Sequence, residues 1–204
     1  MAKKRKKVDY KASHSSLYRA GRKIEEVRAG KAAFLAVDGK GSPGGETYQE
    51  AMKQLFTLAY SAKFGLKAEG VIDFTVPPVE CLWFDDPAKK SMEEWRWRIL
   101  LRIPDAVTGK HLASIRRMIK SKKGIDTSAV KRIARTEGRA LQVLHVGPYD
   151  TVGSAYSGIM EEAESRRLSC VGPGHEIYLN DPRRAAPSRL KTIVRMPVKK
   201  AAAR

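Results

Sequence analysis

The sequence lacks the features that would place the chain in a membrane or give it a metal centre. Its 204 residues contain no run of about 18 apolar residues, and the charged start MAKKRKKVDYK has no apolar stretch of the secretory type. Two cysteines, Cys81 and Cys170, are too few for a disulfide framework, and the four histidines stand far apart. We therefore expect a cytoplasmic protein without membrane contact, metal or other cofactor.

Motifs for nucleotide binding and covalent catalysis are weak or missing. Gly39–Gly44 formally fits GxGxxG, but a hairpin pattern follows the next helix, and Pro43 removes an amide that could contact phosphate. No GK[ST] or GxSxG sequence occurs, and neither cysteine has a histidine placed locally beside it. The glycine-rich segment is better interpreted as a flexible loop that leads into a helix and borders a pocket.

Positive charge is abundant but confined to parts of the chain. The net charge of +18 comes from residues 1–11, 110–139 and 183–204, whereas the rest of the sequence is slightly acidic. Clustered lysine and arginine side chains are typical of surfaces that contact polyanions. One alternative function is therefore a nucleic-acid-associated protein, in which Lys3–Lys7, the middle segment and Arg183–Arg204 make weak, peripheral phosphate contacts.

The first half of the chain shows an ordered series of predicted elements. A strand at Ala32–Val37 precedes a helix from about Glu46 to Tyr60, whose apolar residues recur at helical spacing. A hairpin follows, formed by Pro78–Phe84 and Trp95–Ile103 and bounded by Asp-Pro and Pro residues.

The second half repeats this order, with Leu141–Val146, a helix from about Thr151, and a hairpin of His175–Asn180 and Leu190–Met196. The apolar residues of both helices share the same offsets along the sequence, which indicates an internal duplication. We predict an α+β fold in which a strand-helix-strand-strand repeat is used twice. The two antiparallel sheets should meet edge to edge, with helices on one face and a ligand groove between the repeats.

The repeat also suggests domain boundaries. We expect a basic, disordered tail at residues 1–23, a single domain at residues 24–198 and a second basic tail at residues 199–204. Within the domain, repeat 1 spans about residues 24–108 and repeat 2 about residues 139–198.

The connector between the repeats, at residues 109–138, is predicted to be helical. An apolar stripe among basic residues favours an amphipathic helix that ends at Gly124. Thr127 or Ser128 could then cap a second short helix. Its apolar positions would be Val130, Ile133 and Ala134. Both a solvated connector and a phosphate-contacting surface remain open for this segment.

All three tryptophans fall on the first hairpin. Trp95 and Trp97 project to the same face of their strand, where ordinary core packing would explain them, and Trp83 comes from the partner strand. Tryptophan faces attract cations and stack on planar rings. The cluster therefore favours a pocket for planar or cationic hydrophobic molecules.

Two predicted strands carry a glutamate in their interior, a position that strands disfavour. Glu176 and Glu80 could each pair with an arginine such as Arg102 or Arg195. Alternatively, each could be a pocket carboxylate that neutralises a cation or acts as general acid and base, with a pKa raised by desolvation. The repeat leaves the equivalent of Glu176 open, because one alignment pairs it with Glu80 and another with Cys81.

Four stretches together resemble the GyrI-like family of the SOUL/gyrase-inhibitor superfamily. They are Pro78–Phe84, Glu94–Trp97, Val146–Tyr149 and Glu176–Pro182, and the resemblance covers about residues 25–198. It implies a pocket between the repeats that binds lipophilic or cationic compounds, with Glu176 facing it. One departure is Cys81, which stands where many relatives have glycine.

The resemblance also implies a choice of functions. Many relatives are ligand-sensing halves of transcription regulators, but about 24 residues precede the repeat here, too few for a winged helix. We therefore do not expect direct transcriptional regulation. Stand-alone members with a longer middle segment look like cyclopropanoid cyclopropyl hydrolases, which detoxify DNA-alkylating natural products of the duocarmycin and yatakemycin type through an aromatic cage.

On this resemblance we expect a monomer that binds xenobiotics and hydrolyses cyclopropane-bearing alkylators. Binding or sequestration without catalysis is an alternative, as is a detoxifying enzyme held near DNA by weak contacts. The candidate catalytic residues are Glu176 and Tyr178, and the candidate ligand-binding residues are Trp83, Trp95, Trp97, Tyr149 and Glu80.

Overall fold

One antiparallel sheet joins both halves of the chain. The structure is a computed structural model and describes residues 7–201. Nine strands lie in this part of the chain, and each ladder between them is antiparallel. Their bounds are β1 Glu25–Ala29, β2 Ala32–Lys40, β3 Glu80–Trp83, β4 Arg96–Ile103, β5 Lys131–Arg135, β6 Gly138–Val146, β7 Leu168–Cys170, β8 Gly174–Tyr178 and β9 Lys191–Lys200.

Helices pack against both faces of the sheet. Helix α3 (Glu46–Ala68) packs on β2 and β4, and helix α5 (Gly153–Ser165) packs on β6, β7 and β9, in each case through an apolar stripe at helical spacing. Among residues 7–201, none of the helices combines the length and the hydropathy needed to cross a bilayer. The helices are α1 Tyr10–Ser13, α2 Ser15–Tyr18, α3 Glu46–Ala68, α4 Gly109–Lys123 and α5 Gly153–Ser165.

The strand order shows the predicted duplication. It runs β1-β6-β9-β8-β3-β4-β2-β5, with β7 added beside β9. The equivalent pairs are β1 and β5, β2 and β6, β4 and β9, and β3 and β8. The two members of each pair lie at equal distances from the centre of the sheet, where β3 meets β8. The α+β fold and the repeat are therefore confirmed, and the β3–β8 ladder merges the two predicted sheets into one.

Each repeat is one strand longer than predicted. Strand β1 pairs with β6 of the other half, and β5 pairs with β2, so the halves exchange their first strands. The predicted second helix after Thr127 is therefore wrong. Val130 is buried and Ile133 packs against the sheet, because Lys131–Arg135 pairs with β2 and the ladder satisfies its backbone groups. Helix α4 ends at Lys123, and Gly124, which the sequence predicts as its end, caps it with a left-handed φ of +65°.

The predicted tails take part in the fold where the structure describes them. Tyr10 and Tyr18 are 8% and 3% exposed, because α1 and α2 pack against Ile177 and Ile193 on the face of the sheet opposite α3. A disordered tail is therefore wrong for residues 7–23. At the other end, Lys199 and Lys200 belong to β9 and pair with β7. Residues 1–6 and 202–204 lie outside the described residues.

The two faces of the sheet carry different cores. Leu35 and Leu101 face α3, and Val194 faces α5, whereas Leu100 and Ile177 pack on the opposite face. Successive side chains of a strand point to opposite faces. Neighbouring residues of the central strands β3 and β8 therefore enter two separate environments.

Candidate functional site

A buried carboxylate lies at the centre of the sheet, on the face that carries α3 and α5. Glu176 of β8 is 6% exposed and accepts hydrogen bonds from the hydroxyl of Tyr156 to Oε1 at 3.0 Å and from that of Tyr178 to Oε2 at 2.8 Å. Burial raises the pKa of Glu176, although both hydroxyls and the nearby His175 charge act to lower it. The group therefore keeps its proton to a higher pH than an exposed glutamate does.

Cys81 lies directly opposite Glu176. The two residues are Cα partners in the β3–β8 ladder, and Trp83 and Tyr178 lie two positions further along the same face of their strands. When the Asp-Pro pairs that follow these strands are aligned, Cys81 is the equivalent of Glu176. Two repeats related by a two-fold axis at the centre of the sheet place these equivalent residues opposite each other, as the β3–β8 ladder shows. The alignment that pairs Glu80 with Glu176 is therefore wrong.

Trp83 anchors one side of the site. Its ring lies parallel to that of Tyr48 from α3, with centroids 6.2 Å apart, and the ring of Trp95 meets it edge-on at 5.8 Å. The Trp83 indole N–H is close enough to lower the pKa of Glu176, yet it is buried and completes no hydrogen bond within the described chain. This donor is therefore available inside the site.

Tyrosines close the other side. Tyr149 meets Tyr178 edge-on, with centroids 5.5 Å apart, and is 38% exposed. Burial raises the pKa of Tyr156 and Tyr178 well above the usual tyrosine value, and the Glu176 charge adds to the effect. Their hydroxyls therefore stay protonated and act as donors. We call the rings around Glu176 the aromatic cage; it comprises Tyr48, Trp83, Tyr149, Tyr156 and Tyr178.

Two of the residues predicted for the pocket lie elsewhere. Trp97 is 1% exposed, donates its indole N–H to the carbonyl of Gly41 at 3.1 Å, and meets Tyr48 edge-on at 5.0 Å, so it supports the cage from the core. Glu80 points to the opposite face of the sheet. The predicted residues that the structure brings together are Glu176, Tyr178, Trp83 and Tyr149, with Trp95 at the margin.

Glu80 belongs to a second buried group, the ionic cluster. The imidazole of His175 lies between two carboxylates, 2.9 Å from Glu80 and 2.7 Å from Glu137. Arg195 contacts Glu137 at 3.0 Å, and the Tyr18 hydroxyl donates to Glu80 at 2.8 Å. Each polar group here has a partner of opposite charge or a donor, so the cluster is satisfied without a ligand.

Charges within the ionic cluster shift its pKa values in opposite directions. Burial would lower the pKa of His175, but the carboxylates of Glu137 and Glu80 outweigh it and raise that pKa. Burial would raise the pKa of Glu137, but the charges of His175 and Arg195 outweigh it and hold that pKa well below its usual value. Within residues 7–201, no group of three or more His, Cys, Asp or Glu side chains is arranged to hold a metal ion.

A cavity and a groove formed by the described residues lie away from Glu176. A cavity of about 20 Å³ borders the ionic cluster, and a groove of about 350 Å³ runs along α5 and the end of β6. Neither is lined by Glu176. The cage rings surround Glu176, which is 6% exposed. Tyr149, on the short turn Tyr149–Thr151, is the most exposed of them.

Sequence reasoning missed two cage residues, Tyr48 and Tyr156. Both fit the apolar stripes of their helices, so they read as ordinary core positions. The available signal was that each stripe contains a tyrosine near the start of its helix, where a hydroxyl needs a buried partner.

Comparisons with known proteins match most of the chain. The family model of the GyrI-like small molecule binding domain matches residues 23–199. Two crystal structures of proteins from Listeria innocua, each named a hydrolase, are 36% and 37% identical, with TM-scores of 0.89 and 0.87. Each match covers 95% of this chain and 100% of the other.

More distant structures share the fold alone. The C-terminal domain of EcmrR is 18% identical, with a TM-score of 0.53, over 91% of this chain and 99% of that domain. EcmrR in a complex with DNA is 16% identical, with a TM-score of 0.58, over 94% of this chain and 61% of that chain. No curated protein matches the sequence significantly.

Proposed function

This chain belongs to the GyrI-like family of small-molecule-binding domains, and we propose that its ligand site is the aromatic cage around Glu176. The observation that supports this best is the contrast between buried carboxylates. Glu80 and Glu137 lie against His175, whereas Glu176 is hydrogen-bonded to the hydroxyls of Tyr156 and Tyr178. Its charge is therefore left for a ligand to neutralise.

The surroundings of Glu176 favour a flat, hydrophobic ligand with positive charge. Ring faces attract cations and stack on planar molecules, and the parallel rings of Tyr48 and Trp83 offer two such faces. A cation among these rings would lie within reach of the carboxylate. Planar xenobiotics of this type are the proposed ligand class.

We extend the proposal to hydrolysis of strained, electrophilic ligands. The ionised Glu176 takes a proton from a water molecule while the water oxygen bonds to a cyclopropane carbon that is conjugated to a carbonyl group. The ring C–C bond breaks, its electron pair moves towards the carbonyl oxygen, and that oxygen receives the proton from Glu176 or through the Tyr178 hydroxyl. The two Listeria proteins named hydrolases support this assignment. The cellular role would be protection against DNA-alkylating compounds.

The test combines binding and product analysis. Tryptophan fluorescence is followed while acriflavine, a planar cation, is added, and a cyclopropane-bearing alkylator is then incubated with the protein and analysed by mass spectrometry. We expect quenching and a product heavier than the alkylator by one water. Glu176→Gln should abolish that product, while Glu161→Gln, which removes the same charge from an exposed position on α5, should not.

Three outcomes would change the proposal. Quenching without product would leave a binding or sequestering protein. Product formation that persists in Glu176→Gln would contradict the catalytic role of Glu176. No response to either compound would contradict the proposed ligand class.

Weak polyanion contact is a second candidate function, supported by helix α4. Its exposed positions include Lys110, Arg117, Lys120, Lys122 and Lys123. Binding through such a face should weaken steeply as salt is added, because it releases counterions, whereas acriflavine binding in the buried cage should change little. A DNA affinity that does not depend on salt would contradict this candidate.

A further inference from the structure

The mechanism above leaves one buried nucleophile unused, the thiol of Cys81. Cys81 is 0% exposed, and its ladder partner is Glu176. Opposed residues of an antiparallel pair have Cβ atoms about 4.5–5.5 Å apart, so the thiol and the carboxylate share one side of the sheet at short range. The Tyr48 side chain from α3 lies close enough to the thiol for each group to shift the pKa of the other. A nucleophile, a carboxylate base and a phenol therefore meet at one point of the cage.

The resting thiol is protonated. Burial raises the pKa of Cys81 well above its usual value, and the Glu176 charge raises it further. Since a thiol attacks through its thiolate, Cys81 can react only when its proton leaves as the new bond forms, and Glu176 is the base beside it. Cys170 on β7 differs, because its pKa is raised by burial alone.

The geometry points to Cys81 as a covalent capture site for flat aromatic ligands that carry a soft electrophilic carbon, with Glu176 as the base. This inference rests on the proposed function and deepens it, because the ligand must first enter the aromatic cage. Capture and hydrolysis differ in what happens to the ligand. Hydrolysis releases it as a product, whereas capture leaves it attached to the protein.

The reaction is an addition without a leaving group. The Cys81 sulfur bonds to the terminal carbon of an enone, or to a cyclopropane carbon conjugated to a carbonyl. The electron pair of the C=C π bond, or of the ring C–C bond, moves towards the carbonyl group. The thiol proton passes to Glu176 and then to the ligand. The product is a thioether whose mass equals that of the protein plus the intact ligand.

The probe is acrylodan, a flat naphthalene ketone with an acryloyl group. Intact-protein mass spectrometry and peptide mapping follow its addition to the full-length protein and to Cys170→Ser, in which Cys81 is the remaining cysteine. We expect one adduct, on Cys81, and slower labelling when acriflavine is in excess. Glu176→Gln should slow the labelling of Cys81 by about a hundredfold, within the range that a positioned general base contributes.

Matched variants keep the test specific. Glu161→Gln should label Cys81 at the wild-type rate, and Cys81→Ala should remove the Cys81 adduct. Iodoacetamide, which has no ring to bind the cage, should favour Cys170 over Cys81. Thermal melting shows that each variant is folded before it is labelled.

Different results contradict covalent capture by Cys81 and ligand binding in the aromatic cage. If acriflavine quenches tryptophan fluorescence while acrylodan leaves Cys81 unmodified, the capture site is wrong and the ligand site stands. Labelling of Cys81 at equal rates in the wild type and Glu176→Gln also overturns the inference. If acriflavine neither binds nor competes while Cys81 is labelled in a Glu176-dependent manner, capture is supported and the planar-cation ligand class is contradicted.

Discussion

His175 and Glu176 are neighbours in β8, yet their side chains enter opposite faces of the sheet. His175 bridges Glu80 and Glu137 in the ionic cluster, while Glu176 lies in the aromatic cage with hydroxyl partners. In the first environment each carboxylate has a charged partner, whereas no cationic side chain among residues 7–201 forms an ion pair with the carboxylate in the second. This contrast fits a structural role for His175 and supports the ligand-binding role that we propose for Glu176.

His175→Gln should destabilise the protein by about 3–5 kcal/mol, because it leaves the buried Glu80 carboxylate without its cation and leaves Glu137 with its arginine partners alone. The His175 pKa is raised on folding, so its stabilisation is fully present below the unfolded value and is lost as pH rises through the folded pKa. Chemical denaturation across this pH range should show the loss in the wild type and not in the variant. His145→Gln, outside the cluster, is the control, and equal stability of both variants would contradict the role of His175.

Tyr18→Phe should destabilise the fold by about 1–3 kcal/mol. The variant leaves the buried Glu80 carboxylate without the hydroxyl that donates to it at 2.8 Å. Because Tyr18 lies in the N-terminal segment, deletion of residues 1–23 should destabilise the protein further. Tyr60→Phe, on an exposed position of α3, should have little effect in the same denaturant titration. A deletion variant as stable as the full chain would show that this segment contributes nothing.

Gly39→Ala should cost about 1–3 kcal/mol, as overpacking of a core does. A methyl group at this position would overlap the ring of buried Trp97, which in turn supports Tyr48. Gly30→Ala has open space around the new methyl group and serves as the control. Thermal melting compares the two, and a Gly39→Ala variant that melts with the wild type would contradict the tight contact.

Acriflavine binding should strengthen as pH rises through the pKa of Glu176. Burial raises this pKa above the ordinary value of 4.5, so the carboxylate ionises later than an exposed glutamate. The affinity midpoint should therefore lie above pH 4.5, and Glu176→Gln should remove the dependence. The same shift means that Glu176 stabilises the fold below its unfolded pKa and loses this contribution as pH rises through the folded pKa. Fluorescence titrations at a series of pH values measure both variants, and a dependence that persists in Glu176→Gln would assign it to another group.

Much of the fold could be predicted from the sequence because local patterns of apolar residues define the helices and strands of each repeat. The stripes of α3 and α5 and the alternation in β4 depend on residues near one another in the chain. The exchange of β1 and β5 between the halves does not, since a strand's partner is chosen through contacts distant in sequence. The burial of Tyr18 depends likewise on Glu80, far along the chain.

Prediction of the site was limited by strand register. Glu80 and Cys81 are adjacent, and a shift of one residue moves a side chain to the other face of the sheet. The sequence alone left both alignments with Glu176 open, and the β3–β8 ladder decides for Cys81. Tyr156 and Tyr48 come from helices whose rotation over the sheet is set by packing, so the contact of Tyr156 with Glu176 and that of Tyr48 with Trp83 could not be inferred from spacing.

The most direct test of the account is the affinity for acriflavine, measured by isothermal titration calorimetry at neutral pH on the wild type, Glu176→Gln and Glu161→Gln. We predict that Glu176→Gln weakens binding about tenfold or more, which corresponds to at least about 1.4 kcal/mol, while Glu161→Gln leaves it unchanged. Equal affinities for the wild type and Glu176→Gln would contradict the claim that the buried carboxylate of the aromatic cage binds the ligand.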